Sequence, residues 1–182
     1  MIYADHAATT KISETAKLAM LSAMEKDWYN PSSLYTPGQQ ASGTLMDARV
    51  RIAHCLGCLP KEIYFTSGGS EADNQAILSA AAIGKRQGKM HIISTAFEHH
   101  AVLHTLKKLE KEGFEITLLD VGEKGIVSPV QVEKAIRPDT ILVTVMYANN
   151  EIGTIQPIRE IGAICRKNGV LFHTDAVIFK SM

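Results

Sequence analysis

The order of apolar and polar residues predicts alternating strands and helices from about residue 62 onward. Short runs rich in β-branched and aromatic residues predict strands at residues 62–66, 90–94, 114–119, 140–146 and 170–173. Longer amphipathic or alanine-rich segments predict helices at residues 70–86, 99–112, 129–136 and 157–167. Strands and helices that alternate at this spacing imply right-handed crossovers and a mostly parallel sheet, so we expect an α/β fold.

The first part of the chain has a helical pattern instead. Residues 1–12 form a polar opening segment, and Ser13 is a candidate cap for a helix that reaches Lys26. Residues 28–33 are predicted to form a loop, because Asn-Pro and Ser-Ser are typical of turns. A second helix is predicted from Pro37 to Leu56, where Gly57 ends it. No linker separates two complete domains in this pattern.

Composition and charge exclude several function classes. The 182 residues can form one sizeable domain, and 19 basic residues balance 19 acidic ones, which argues against general binding of nucleic acid or anionic membranes. No apolar run is long enough to span a bilayer, and we expect no signal peptide. Three cysteines do not make a disulfide framework, so we expect a cytoplasmic protein.

A glycine-rich turn at residues 66–74 is the first candidate site. Gly68 and Gly69 stand between a predicted strand and a predicted helix, and Ser70 can cap that helix. A helix N-terminus with glycines and hydroxyls suits a phosphate. The turn lacks the lysine of a P-loop and the third glycine of a dinucleotide fingerprint, so a single phosphate monoester fits best. A simple capped strand–helix turn without a ligand explains it equally well.

Other polar residues follow the predicted strands at the same edge of the sheet, where ligands of such sheets bind. Asp175 can act as a base, a metal ligand, a partner for a protonated nitrogen or a loop cap. His99 can stack on a flat ligand, whereas we expect His100 to face solvent. An amide at Asn149 or Asn150 can donate to a ligand oxygen, or simply form a turn.

Together, a phosphate seat, a stacking ring, an amide donor and a carboxylate describe the requirements of pyridoxal 5′-phosphate. A carboxylate beside the pyridine nitrogen keeps that nitrogen protonated, so the ring can accept electrons. We predict no metal site, because the pair Cys55 and Cys58 is only half a zinc site. We expect both of these cysteines at a helix end in the core, and Cys165 in the core as well.

The chain resembles the class V aminotransferase group of fold-type I pyridoxal-phosphate enzymes, and within that group the cysteine desulfurases. The resemblance runs from the first residues to about Val177. Its motifs are residues 3–10 (YADHAATT), 30–33 (NPSS), 65–74 (FTSGGSEADN), 98–102 (EHHAV), 149–153 (NNEIG) and 173–176 (HTDA).

The resemblance implies a three-layer, mostly parallel large domain, here residues 13–177 and incomplete. It implies that Gly69 and Ser70 hold the cofactor phosphate, that His99 stacks on the pyridine ring and assists proton transfer, that Asn150 bonds the ring hydroxyl and that Asp175 pairs with the pyridine nitrogen. Asn30 would lie near the substrate carboxylate.

The implied reaction converts L-cysteine to L-alanine and leaves the sulfur as a persulfide on an enzyme cysteine. That sulfur would feed iron–sulfur cluster assembly or tRNA thiolation. The resemblance also implies a homodimer with a sulfur-acceptor or scaffold protein as partner.

The match ends after Asp175. The family pattern has Gln at position 178, where this chain has Ile178, and residues 178–182 form an unrelated tail. We therefore expect a truncated chain that lacks the Schiff-base lysine, the persulfide cysteine and the C-terminal small domain, and that has impaired activity. Lys180 is not expected to replace the lysine. The alternatives are another class V enzyme, such as a selenocysteine lyase or an aminotransferase, and a non-catalytic remnant that binds the cofactor or a partner subunit.

Overall fold

A computed structural model describes residues 2–178 of the chain. The chain divides into two compact units, Met1–Phe65 and Thr66–Met182. The expected tail lies mostly outside the described residues, and Lys180 is among the residues that are not described.

The first unit is helical, as predicted. Helix α1 (Glu14–Lys26) begins at Ser13, whose Oγ accepts from the Ala16 N–H at 3.2 Å. Helix α2 (Thr36–Leu56) ends at Gly57, which adopts the left-handed conformation that a helix C-terminus often requires. A single 3-10 turn (Pro60–Glu62) follows.

The second unit contains a parallel four-stranded sheet in the order β2-β1-β3-β4. Its strands are β1 (His91–Thr95), β2 (Glu115–Leu119), β3 (Thr140–Thr144) and β4 (Leu171–His173). Its helices are α3 (Gly69–Arg86), α4 (His100–Lys111), α5 (Pro129–Ala135) and α6 (Ile158–Lys167). The predicted order of elements from residue 70 onward is confirmed, with bounds that shift by one or two residues.

Two apolar clusters give the unit three layers, which confirms the predicted α/β architecture. Ile92 faces the cluster formed with α3 and α4, and its neighbour Ile93 faces the cluster formed with α5 and α6. Successive residues of a strand point to opposite faces, so one buried apolar run serves both layers. In β3, Leu142 likewise faces the cluster with α3 and α4, and Val143 faces the cluster with α5 and α6.

A buried histidine joins three strands near their amino ends. His91 lies 2.7 Å from the Thr140 hydroxyl through Nδ1 and 2.8 Å from the Thr117 hydroxyl through Nε2. Burial lowers the pKa of His91, with the positive charge of Arg137 acting in the same direction. This histidine is therefore a structural residue on the side of the sheet away from the candidate site.

Three local predictions are wrong. The segment from Glu62 to Thr66 forms no strand, because no strand within residues 2–178 pairs with it and Tyr64 is 76% exposed. Ser70 does not cap α3: Gly68 occupies the cap position, and Ser70 lies inside the first turn. Cys55 is exposed and Cys58 half-buried, since the end of α2 reaches solvent, whereas Cys165 is buried as predicted. All three thiols are free.

Several large apolar side chains are exposed. In the sheet, Leu118 and Leu171 lie on the two outer strands and are about half exposed. Helix α1 buries none of its residues. No helix in the described part of the chain combines the length and apolar character needed to cross a membrane.

Candidate functional site

The candidate site lies at the carboxyl edge of the parallel sheet. Strand β1 ends three residues before Glu98, β3 leads into the turn at Asn149 and Asn150, and β4 ends two residues before Asp175. Because all four strands run in the same direction, their carboxyl ends share this edge. The structure thus places His99, Asn150 and Asp175 at one edge.

The amino end of α3 offers free hydrogen-bond donors at this edge. The Ala72 N–H donates to the Gly68 carbonyl, so the N–H groups of Gly69, Ser70 and Glu71 precede the first helical bond and have no acceptor within residues 2–178. The Glu71 carboxylate turns back to accept from the Ser67 N–H and hydroxyl, both at 2.6 Å. These two bonds lower the pKa of Glu71 and occupy its carboxylate. An anion can therefore bind there.

Gly69 is required by the close approach of a neighbouring loop. A Cβ atom at this position would overlap Cγ2 of Val177, whereas a Cβ at Gly68 would meet nothing within 4 Å. The Val177 N–H in turn donates to Oδ1 of Asp175 at 3.0 Å. The loop that carries Asp175 therefore passes directly over the start of α3, which brings the anion-binding amides and the carboxylate into one neighbourhood.

Glu98 is a buried junction between two strand ends. Its Oε1 accepts from the Thr95 hydroxyl at 2.6 Å and from the Met146 N–H at 2.9 Å. Burial raises the pKa of Glu98 to about 7; the two hydrogen bonds oppose this rise, and the nearby Asp175 carboxyl adds to it. Its other oxygen, Oε2, is buried and has no partner within residues 2–178.

Asn149 and Asn150 have different roles in the structure. Asn149 is buried; its Oδ1 accepts from the N–H groups of Glu151 and Ile152, and its Nδ2 donates to the Phe97 carbonyl at 3.2 Å. Asn150 is exposed at the tip of this turn. The structure thus assigns the turn-forming role to Asn149 and leaves the Asn150 amide open to a ligand.

A second buried connection runs beneath Asp175. Nε2 of His173 lies 3.5 Å from Oδ1 of Asp73 on α3. The other ring nitrogen of His173, Nδ1, lies 2.8 Å from the Thr144 hydroxyl on β3. The Tyr147 N–H donates to the Asp175 carbonyl at 2.7 Å. These contacts fix the backbone on both sides of Asp175, whose Oδ2 has no hydrogen bond within residues 2–178.

The remaining predicted residues are His99, His100 and Asn30, and all three are exposed. His99 is exposed at the cap of α4, where its Nδ1 accepts from the Ala101 N–H at 3.2 Å. A neutral His99 therefore carries its proton on Nε2. His100 is exposed, as predicted. Asn30 belongs to the first unit, where its Oδ1 accepts from the Ser32 N–H at 2.9 Å.

Sequence reasoning placed Glu98 and His173 at strand ends but assigned no supporting role to them, to Asp73 or to Thr174. Asp73 follows Ser70 by one helical turn, and His173 precedes Asp175 by two residues, so spacing alone could have paired them with the site. Nothing in the sequence indicates that Thr174 Oγ1 is buried without a partner. No cluster of three or more potential metal ligands occurs among the described residues.

Known proteins with similar sequences and folds match nearly the whole chain. It is 51% identical over 176 residues to the putative cysteine desulfurase IscS 1 of Bacillus subtilis, covering 97% of this chain and 46% of that protein. It is equally identical to the cysteine desulfurase IscS of Methanosarcina thermophila, covering 97% of this chain and 43% of that protein. The chain thus spans about half the length of these curated relatives.

Solved structures agree with the sequence matches. A NifS-like protein superposes with a TM-score of 0.90 at 36% identity, covering 94% of this chain and 47% of its own. SspA in complex with cysteine superposes with a TM-score of 0.89 at 39% identity, covering 94% of this chain and 49% of the SspA chain. The sequence model of the aminotransferase class-V family matches residues 2–178, and the chain belongs to this family.

Proposed function

We propose that this chain is the cofactor-binding part of a pyridoxal-phosphate-dependent cysteine desulfurase. The observation that carries the proposal is the approach of Val177 to Gly69, because it brings the free amides of α3 and the carboxylate of Asp175 into one site. A relative solved with cysteine, SspA, supports L-cysteine as the substrate class. The reaction would convert L-cysteine and a thiol into L-alanine and a persulfide.

The residues at the site fit pyridoxal 5′-phosphate. The free amides of Gly69 and Ser70 and the exposed Ser70 hydroxyl suit a phosphate monoester. Asp175, a largely buried residue, offers its Oδ2, which has no hydrogen bond within residues 2–178, to a protonated ring nitrogen. When bound, this cofactor supplies an electron-accepting ring.

Each of the proposed site residues then has a defined task. Gly69 and Ser70 bind and orient the phosphate. Asp175 holds a proton on the ring nitrogen through Oδ2, while its Oδ1 stays fixed by the Val177 N–H. His99 presents an exposed ring whose Nε2 can donate or accept a proton, and Asn150 presents its amide to the ring hydroxyl.

Several further assignments rest on the family and remain proposals. Asn30 is proposed to contact the substrate carboxylate, and residues 13–177 to form part of the large cofactor-binding domain. We also propose a cytoplasmic homodimer that passes sulfur to an acceptor protein for iron–sulfur cluster assembly or tRNA thiolation. Free thiols at all three cysteines support a reducing compartment.

A second candidate, cofactor binding without turnover, is favoured by the positions of the cysteines. Cys55 and Cys58 belong to the first unit, and Cys165 is buried in the core beside α5 and α6. None of them follows a strand at the edge that carries Asp175. A persulfide acceptor is therefore not evident among the described residues of the second unit.

Titration with pyridoxal 5′-phosphate, followed by absorbance, tests both candidates. Loss of one charge-assisted hydrogen bond costs about 1.5–3 kcal/mol, so Asp175→Asn should weaken binding roughly 10- to 100-fold. Asp47→Asn, an exposed change in the first unit, is the matched control. Pyridoxal without its phosphate should bind more weakly than the phosphorylated form.

The loaded chain is then incubated with L-cysteine, and L-alanine is measured, with L-serine as the comparator. Alanine formed from cysteine supports the desulfurase proposal. Tight cofactor binding without alanine supports the second candidate. A flat titration with the phosphorylated cofactor would overturn both.

A further inference from the structure

Glu98 is a buried acidic residue at the site edge that the proposed chemistry leaves unused. It is 4% exposed, and it directly precedes His99. A buried carboxyl group with one unsatisfied oxygen requires an explanation, because desolvation without a partner is costly. Its location between two strand ends supplies one.

The contacts of Glu98 join the loops that carry the proposed cofactor ligands. Oε1 accepts from Thr95, at the end of β1, and from the Met146 N–H, just beyond β3. The next residue, Tyr147, donates its N–H to the Asp175 carbonyl. One side chain thus connects the loop of His99 to the backbone that fixes Asp175.

A parallel connection supports the same two loops. Asn149 donates from Nδ2 to the Phe97 carbonyl, the residue before Glu98, at 3.2 Å. In both bonds the donor belongs to the β3 loop and the acceptor to the β1 loop, and each loop contributes one of the two side chains. Without Glu98, the bond from Asn149 to Phe97 would still join the two loops.

We propose that Glu98, in its protonated form, is a positioning residue that sets the placement of His99 relative to Asp175. This inference rests on the proposed function, because it assigns a role toward the same cofactor site. Glu98 itself touches neither cofactor nor substrate, and it acts through the two loops.

The surroundings favour the protonated form. The titratable groups that face Glu98 are Asp175 and His173. Both ring nitrogens of His173 are already engaged, by Asp73 and by Thr144. A second full negative charge beside Asp175 in a buried site is unfavourable, and burial raises the pKa of Glu98 to about 7.

The test compares three substitutions in the full chain. Glu98→Gln keeps the acceptor oxygen and mimics the protonated carboxyl group, whereas Glu98→Ala removes the junction. Glu98→Asp keeps the carboxyl group but is one methylene too short to reach both donors. Glu123→Ala, an exposed acidic residue with no hydrogen bond or ion pair to other described residues, is the matched control.

Hydrogen exchange without cofactor is the first readout. A lost hydrogen bond of about 1.4 kcal/mol should speed exchange of the Met146 amide about tenfold in Glu98→Ala, with peptides from β2 unchanged. Glu98→Gln should stay within about twofold of the unsubstituted chain. An unchanged exchange rate of the Met146 amide in Glu98→Ala would overturn the claim that Glu98 joins the two loops, whether or not the cofactor binds.

Cofactor titration is the second readout. A positioning role predicts that cofactor affinity is lost in Glu98→Ala and restored in the conservative variant Glu98→Gln, which a purely structural role would not require. Affinity should fall about tenfold in Glu98→Ala and Glu98→Asp and recover in Glu98→Gln. An equal loss of cofactor affinity in Glu98→Gln and Glu98→Ala would overturn the claim that Glu98 acts in its protonated form. Faster exchange with unchanged affinity would overturn the positioning role.

Two outcomes separate this inference from the proposed function. If the unsubstituted chain binds no cofactor, the proposed function fails, and the exchange experiment still decides whether Glu98 joins the loops. If Glu98→Ala does not fold, Thr95→Val provides a milder change, because it removes only the hydroxyl that donates to Oε1. We expect Thr95→Val to weaken cofactor binding less than tenfold, and no change in affinity or exchange would count against the proposal.

Discussion

Nε2 of His173 lies 3.5 Å from Oδ1 of Asp73, and this contact ties the last strand of the sheet to the first helix of the second unit. Both side chains are largely buried, at 15% and 6% exposed. The other ring nitrogen of His173 contacts the Thr144 hydroxyl. One histidine therefore connects a helix and two strands beneath the candidate site.

Replacing either partner should destabilise the chain. Asp73→Ala and His173→Ala each leave a buried polar group without its partner, which costs about 1–3 kcal/mol in the free energy of unfolding. Residues in direct contact are coupled, so the double variant should lose about 0.5–2 kcal/mol less than the sum of the single losses. Urea unfolding of all four chains measures this coupling.

The control cycle pairs Asp73→Ala with His104→Ala. His104 is exposed on α4 and stacks on His100, and it makes no hydrogen bond or ion pair with Asp73. Its coupling with Asp73 should be close to zero. A coupling for Asp73 and His173 no larger than this value would show that the 3.5 Å contact contributes nothing to stability.

Gly69→Ala should move the loop that carries Asp175. The added Cβ would overlap Val177, and because Val177 is exposed the loop can shift away, at a cost of about 1 kcal/mol in stability. The same shift displaces the carboxylate from the amides of α3, so affinity for pyridoxal 5′-phosphate should fall more than stability does. Thermal unfolding and cofactor titration on one sample compare the two losses.

Gly68→Ala is the matched control, one residue away. A Cβ at Gly68 meets nothing within 4 Å, and its backbone is extended, with φ of 167°, so alanine is tolerated there. The double variant Gly69→Ala/Val177→Ala should regain affinity because the overlapping side chain is gone. Equal effects of alanine at Gly68 and Gly69 would contradict the role of the close approach.

The elements that sequence predicted well are those whose pattern is local. Ser13 begins α1 because its hydroxyl needs only the Ala16 N–H, three residues away. Ile92 and Ile93 predict a strand buried on both faces because alternation is a property of the strand itself. The pattern of strands and helices was therefore sufficient to predict an α/β fold with a mostly parallel sheet, and the edge on which the candidate residues lie.

The parts that sequence did not predict depend on partners distant along the chain. A strand at residues 62–66 has suitable residues but needs a neighbouring strand, and none within residues 2–178 pairs with it. The role of Glu98 depends on Met146, 48 residues later, and the pairing of Asp73 with His173 spans a hundred residues. Hydrophobic periodicity carries no information about such polar contacts.

Thiol labelling should distinguish the three cysteines. The thiolate is the reactive form, and burial raises the pKa of Cys165 to about 11, so about 0.1% of it is ionised at pH 8. In the native chain Ellman's reagent should react quickly with exposed Cys55, more slowly with half-buried Cys58, and with Cys165 only after denaturation.

Serine variants assign the phases of this reaction. Cys55→Ser should remove the fast phase, and Cys165→Ser should remove the phase that appears only in denaturant. Rapid native labelling that disappears in Cys165→Ser would contradict the buried position of this thiol. It would also place a reactive thiol in the second unit, which would remove the observation that favours cofactor binding without turnover.

The stability of the chain should depend on pH through Glu98. Its pKa is about 7 in the folded chain against 4.5 for an unperturbed carboxyl group. Below pH 4.5 both states hold the proton, so the group adds no pH dependence. Between pH 4.5 and 7 the unfolded chain releases its proton while the folded chain retains it, which favours unfolding. This difference corresponds to about 3 kcal/mol of stability lost by pH 8.

Glu98→Gln has no proton to lose, so its free energy of unfolding relative to the unsubstituted chain should rise by about this amount from pH 4.5 to 8. Urea unfolding at several pH values measures the difference, in which contributions from other groups such as His91 cancel because both chains contain them. Glu123→Gln should show a constant difference, since Glu123 is exposed. A constant difference for Glu98→Gln would mean that Glu98 ionises as readily in the folded chain as in the unfolded one.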